Sequence, residues 1–162
     1  MATPNPIRDP ALERPLPSSP DTERAILGSI ILDNSLIAQA VELVRPDDFY
    51  VPSHKRVFRA MIFLFEHASE INPILIAEDL RRDSSLDAFG GMIFLSNLTY
   101  GLPHVTSIVP YAKVIRGKSL LRQLVRTAEK ITVEALAEED EPQNILDHAE
   151  HAIFALDRKS VV

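Results

Sequence analysis

The 162-residue chain carries a net charge of −6, 46% apolar and 25% charged residues, and no cysteine. The missing cysteines exclude disulfide scaffolds, thiolate zinc sites and cysteine nucleophiles. The acidic balance argues against a domain built mainly to grip phosphates, which carries a basic excess. The longest apolar run, Ala60 to Phe65, falls far short of a membrane span, and the N-terminus has no signal-peptide core, so a cytoplasmic protein with no membrane contact is expected.

Residues 1–19 hold five of the twelve prolines and little apolar periodicity, which predicts a flexible proline-rich arm. Ser19 followed by Pro20 predicts a helix start, with Ala25, Ile26, Leu27, Ile30 and Ile31 as its apolar stripe to about Leu32. Asp33-Asn34 restarts a helix to about Val44. The Arg45–Pro52 loop is expected to be pinned by Phe49 and Tyr50, and Ser53 to cap a third helix ending near Glu66. Asn72-Pro73 is another cap-and-proline start, leading to Leu80. Gly90-Gly91 breaks the chain before a short helix bearing Met92, Phe94, Leu95 and Leu98.

From Ser107 to about Ala137 one long pattern puts Val114, Leu121, Leu124, Val125, Ala128, Ile131 and Ala135 along one side, with Gly117 as the weak point where a kink is expected. Such a helix spans roughly 45 Å, longer than a compact head requires. An acidic turn, Glu138 to Glu141, and Pro142 precede a last helix with Ile145, Leu146, Ala149, Ile153 and Leu156 on one stripe. No strand pattern emerges. The expected fold is all-α: an arm at 1–19, a head of about five helices at 20–106, an antiparallel helical hairpin at 107–158, and a linker beginning at 159–162.

Chemistry-bearing motifs are sparse. Ala112 to Ser119, with Gly117-Lys118-Ser119, fits a loosened phosphate-loop pattern but lies inside the long helical pattern with no strand before it, where backbone N–H groups are already bonded. His148 and His151 stand three apart on one helix, a spacing that suits a shared metal and equally a solvated helix side. The acid pairs Asp47-Asp48 and Glu78-Asp79 read as a turn cap and a charged helix face. No catalytic, cofactor-binding or metal-ligating set is therefore expected. Lys118, Arg122, Arg126 and Lys130 recur every fourth residue and are expected to share a basic ridge, facing solvent, an acidic partner or, weakly, nucleic acid. Two lone helices cannot cover all their apolar residues, so Leu120, Leu121, Leu124, Leu136, Ile145 and Ile153 are expected to form a self-association surface.

Six segments in order resemble the N-terminal domain of DnaB-type replicative DNA helicases. They are Ser19 to Gly28 with Ile31-Leu-Asp33, Pro46-Asp-Asp-Phe-Tyr50, His54 to Phe58, Phe89-Gly-Gly91 with Phe94-Leu95, Tyr111 to Leu124, and Ile145 to Glu150 with Ile153-Phe154. The resemblance covers roughly residues 16–158. Pro20, Thr22 and Gly117-Lys118 depart from the family's usual residues. It implies a non-catalytic domain that assembles dimers and a hexameric ring and docks primase, with a helicase loader as a further partner. It also implies that ATP and magnesium belong to a separate RecA-like motor, and that this chain is a fragment lacking it. Asp21, Phe94, Val125 and Ile131 are the residues expected to meet primase. The competing readings are a helical adaptor unrelated to replication and a small nucleotide-binding enzyme using Gly117-Lys118-Ser119.

Overall fold

The computed structural model describes residues 9–160, with side chains through Leu156. The beginning of the expected arm and the end of the expected linker, residues 1–8 and 161–162, lie outside the described residues. The described chain contains eight α-helices and no strand: α1 (Pro20–Leu32), α2 (Leu36–Leu43), α3 (Pro52–Glu66), α4 (Pro73–Arg81), α5 (Ser85–Phe89), α6 (Gly91–Asn97), α7 (Val109–Ala137) and α8 (Pro142–Ser160). A single 3-10 turn precedes them at Pro10–Glu13 and another, Pro46–Asp48, joins α2 to α3.

Five of the helices carry proline in the first turn: Pro20, Pro52, Pro73, Pro110 and Pro142. Proline presets φ there and lacks an N–H that would have no helical partner anyway. Side chains complete some of these starts as expected and others differently. Asn72 accepts the Leu75 N–H at 2.9 Å. The Ser19 side chain accepts no backbone N–H and instead shares a hydrogen bond with the Thr22 hydroxyl at 2.7 Å. Ser53 lies within α3, which begins at Pro52 with Val51 at the cap position. Asn34 ties the α1–α2 turn to the chain entering α4: its amide donates to the Ile30 and Ile71 carbonyls, and its oxygen accepts the Ile71 N–H.

Helix α3 is the central post. Val57, Phe58, Ala60, Met61 and Leu64 are buried on it, and it packs on α1, α2, α4, α5 and the Pro46–Asp48 turn. Phe49 is driven into this core with its ring 4.9 Å from that of Phe58. Arg56, in the first third of α3, holds the end of α4 and the residues just after it through Asp79 and Asp83, each at 2.8 Å. That guanidinium, with the Ser85 hydroxyl and N–H, brings the Asp83 carboxyl down to about 2. Gly90 and Gly91, at φ 108° and 68°, make the left-handed corner between α5 and α6 that other residues rarely adopt.

The first half of α7 belongs to the head: Ala112, Ile115, Ser119 and Arg122 are buried on it, and Ile108 is buried just before it. The second half leaves the head and pairs with α8. One unbroken helix, α7, thus serves both head and hairpin.

Two glycines make opposite predictions. Gly28 lies where α1 crosses the end of α6, and a Cβ there would overlap the Leu98 carbonyl oxygen and the Leu102 side chain. Gly117 is exposed inside continuous α7, and a Cβ there would meet nothing within 4 Å. Gly28→Ala is expected to destabilise the fold by about 3 kcal/mol through overpacking, and Gly117→Ala to stabilise it by about 1 kcal/mol through helix propensity. Urea unfolding of the two variants checks both signs.

Candidate assembly and partner-docking surface

On α7 the buried positions follow three-four-three spacing, Ala112, Ile115, Ser119 and Arg122, one continuous helix face turned to the head. Beyond Arg122 no described residue is buried. Half-covered residues recur instead at Gln123, Thr127 and Ile131 on α7 and at Ile145, Ala149 and Ala152 on α8, the spacing of a two-helix seam. Other apolar residues outside that seam face water: Leu120, Leu121, Leu124, Val125, Val133, Leu136, Leu146 and Ile153 are all exposed, Leu136 to 78%. Soluble domains rarely leave so many large apolar side chains uncovered on one protrusion unless another molecule covers them.

The residues expected to mediate self-association divide accordingly. Leu120, Leu121, Leu124, Leu136 and Ile153 are exposed, while Ile145 is half-buried at seam spacing. Of the residues expected to meet primase, Asp21 is exposed in the first turn of α1 and Val125 is exposed on α7. Ile131 is half-covered at the seam. Phe94 is half-buried against the core, its ring centroid 6.1 Å from that of Phe89. Helix α6 packs on α4 and α5, whereas α7 packs on α1, α2, α8 and the Pro46–Asp48 turn, so the structure does not bring Phe94 together with Val125 and Ile131.

The expected basic ridge is interrupted. Arg126 and Lys130 are exposed and Lys118 is half-buried, but Arg122 is only 3% exposed and turned into the head. Four-residue steps advance the helix by 400°, so each successive member rotates about 40° and the row winds around the helix instead of holding one face. Arg122 lies three residues after Ser119 and seven after Ile115, which places it on the buried face.

Arg122 and a second buried charge, Glu23, both grip the chain between α2 and α3. Arg122 donates to the carbonyls of Asp48 (2.7 Å) and Pro17 (2.9 Å), and its guanidinium lies 5.4 Å from the centre of the Tyr50 ring. The neighbouring Ser119 hydroxyl donates to the Asp48 carboxylate at 2.8 Å, and that carboxylate also accepts the Arg45 N–H at 2.8 Å. Glu23, 1% exposed, accepts the Tyr50 and Val51 N–H groups at 3.0 and 3.1 Å and His54 Nδ1 at 3.1 Å. Burial pushes the Glu23 carboxyl up, but His54 and the two N–H groups outweigh it and hold the group below its ordinary value of 4.5. Burial draws the Arg122 guanidinium down, opposed chiefly by the Glu23 carboxylate. Tyr50, expected to pin the loop into the core, is exposed and covers Arg122 instead.

The remaining motifs resolve into structure. Ala112 to Ser119 is a stretch of continuous α7, its backbone N–H groups committed to the helix. Asp47 faces Lys55 and Arg59 in exposed ion pairs, and Glu78 pairs with Arg81. His148 and His151 are exposed on α8. Two shallow hollows of about 260 and 250 Å³ flank α2, one lined by Val41, Val44, Pro46, Ile62 and Phe65, the other by Leu43, Val109, Ala112, Lys113 and Arg116. No helix among the described residues is long and apolar enough to cross a membrane.

Head and hairpin together define an all-helical module with an exposed apolar protrusion. The chain belongs to the DnaB-like helicase N-terminal domain family, whose profile it matches over residues 15–117. It is 31% identical over 147 residues to the replicative DNA helicase DnaB of Geobacillus stearothermophilus, covering 91% of this chain and 32% of that one. It is 33% identical over 138 residues to the replicative DNA helicase DnaC of Bacillus subtilis, covering 85% and 30%. The chain thus spans about a third of the length of these curated relatives. Among solved structures it resembles the N-terminal domain of DnaB helicase from Mycobacterium tuberculosis, with TM-score 0.81, 28% identity and coverage of 87% and 99%. It also resembles the N-terminal domain of the Helicobacter pylori DnaB helicase, a structure described together with its interactions with primase, with TM-score 0.63, 25% identity and coverage of 71% and 89%. The family expected from the sequence segments is the family found.

The Glu23 site makes a pH prediction. A carboxyl whose folded value is depressed contributes stability that is present above its unfolded value and is lost as pH falls through the folded value. Glu23→Gln is expected to cost about 2 kcal/mol at neutral pH, the scale of hydrogen bonds to a charged group. The gap to wild type should close on acidification below the ordinary value of 4.5. Urea midpoints measured across that range check it, and a gap that stays constant into acid contradicts it.

Proposed function

We propose that this chain is the assembly and partner-docking domain of a hexameric replicative DNA helicase, itself non-catalytic. In this reading ATP hydrolysis and its magnesium belong to a motor domain elsewhere in the full protein. The observation that carries the reading is the hairpin: a protrusion whose outer apolar residues are exposed among the described residues. A second copy of the chain covers part of that surface, and primase docks on the hairpin's first helix and the adjoining head. The Helicobacter pylori relative, described with its primase interactions, supports that choice of partner. A loader protein is a further partner of the full helicase, and contact of Arg126 and Lys130 with nucleic acid is at most weak, given the net charge of −6.

Two experiments test the reading. In the first, sedimentation over a range of concentrations is expected to show a dimer or larger species for the wild-type chain. The Leu121→Asp and Ile153→Asp double variant, which places charge in an apolar contact, should stay monomeric. A double variant that folds and keeps the wild-type mass moves the interface off the hairpin. In the second, titration with the cognate primase is expected to show Val125→Ala weakening binding about tenfold or more, the effect of losing a central apolar anchor, with Asp21→Ala milder as a rim charge. Unchanged affinity in folded variants of Val125 and Ile131 places the docking surface elsewhere.

A further inference from the structure

Arg122 sits on the last buried turn of α7, at the point where the hairpin leaves the head. Arginines are seldom fully buried without a carboxylate, yet none of the ion pairs among the described residues includes this one. Its two terminal nitrogens are spent on backbone carbonyls from two distant segments, Asp48 at 2.7 Å and Pro17 at 2.9 Å, 74 and 105 residues away in sequence. The Asp48 carbonyl belongs to the turn that Glu23 and Ser119 also hold. The Pro17 carbonyl belongs to a segment with no helix or strand, running from Arg14 to Ser19 along the surface, with Leu16 to Ser19 half-buried.

That segment is built to be stiff. Pro15 and Pro17 fix φ at two of its positions, Pro20 follows at the start of α1, and its end is tied down where the Glu23 N–H donates to the Ser19 carbonyl at 3.0 Å and Ser19 meets Thr22. A carbonyl presented by a stiff segment loses little freedom when it is bound. Beyond Arg122 no described residue is buried, and α8 packs on α7. The direction of the hairpin relative to the head is therefore decided by what holds α7 at this turn and before it.

We propose that Arg122 and the Leu16–Ser19 strap form a lock that sets the direction of the hairpin, so that lifting the strap frees the hairpin to swing about the end of the head. Arg122 acts as a positioning residue: its planar fork fixes two backbone points at once, which a lysine, a single point charge, does not reproduce.

The chain has no cysteine, so a pair introduced at exposed Glu70 in the head and exposed Glu139 at the hairpin tip takes spin labels cleanly. Labelled chain is diluted into an excess of unlabelled chain so that only distances within one molecule are read. The wild-type background is expected to give one narrow distance distribution. Arg122→Lys, and separately deletion of residues 1–17, are each expected to broaden it while helix content by circular dichroism stays the same. Arg126→Ala, four residues on and exposed, is expected to leave it narrow. If Arg122→Lys does not fold, the truncated chain decides. A distribution as narrow as wild type in either folded variant overturns the proposal and leaves the hairpin's direction to the continuity of α7 alone.

Discussion

The short stretch from Arg45 to Val51 is held in place by two buried charges that never touch each other. Glu23 takes two of its backbone N–H groups, and Arg122 takes one of its carbonyls. Each charge is satisfied by groups that would otherwise be orphaned at a chain reversal, and in a low-dielectric interior an orphaned polar group costs more than a made hydrogen bond gains. The consequence reaches beyond the turn. With Asp48 fixed, Ser119 and Arg122 fix the roll of α7 about its own axis; with Tyr50 and Val51 fixed, α3 starts in register and carries Phe58 under Phe49. One polar knot thus aligns the central post of the head with the helix that leaves it.

What leaves the head is under-packed. A domain buries each helix's apolar stripe against at least one other layer, and the head does so around α3. The hairpin has only its own two helices, so one stripe on each is spent on the seam and the rest faces water. A head whose buried charges Glu23 and Arg122 are hydrogen-bonded is joined to a protrusion whose outer apolar residues are exposed. The proposed assembly role rests on that contrast.

Much of this could be read from the sequence where the signal was local. Proline at a helix start, Asn72 as a cap, and the helical spacing of Val57, Phe58 and Met61 all act within a few residues of themselves, although Ile62 and Phe65, which share that spacing, stay half-buried and exposed. Helix α5 was not anticipated, because a helix of Ser85 to Phe89 is too short to show a period and is bounded by Ser84 and Gly90 in left-handed conformations. The cap roles expected of Ser19 and Ser53 failed because the Thr22 hydroxyl competed for one and Pro52 started the other helix a residue early. The sequence places Arg122 on an exposed basic ridge because a row at four-residue spacing looks like a face over one or two steps and is not one over three. The signal that places it correctly was present in Ala112, Ile115 and Ser119, whose alternating three- and four-residue spacing it continues. Glu23 likewise shares the buried side of α1 with Ile26, Leu27 and Ile30. In both cases the charge of the residue masked its position, and its partners lay too far along the chain to be seen from it.

Native-state hydrogen exchange of the isolated chain at several protein concentrations tests the contrast between head and hairpin most directly. The account predicts that α7 amides up to about Arg122 open only with the head. Amides from about Gln123 to Ala137, and those of α8, should exchange through easier local opening in dilute solution and gain protection as concentration rises. Hairpin amides as protected as those of α3 at every concentration would contradict it, because the hairpin would then be complete without a partner.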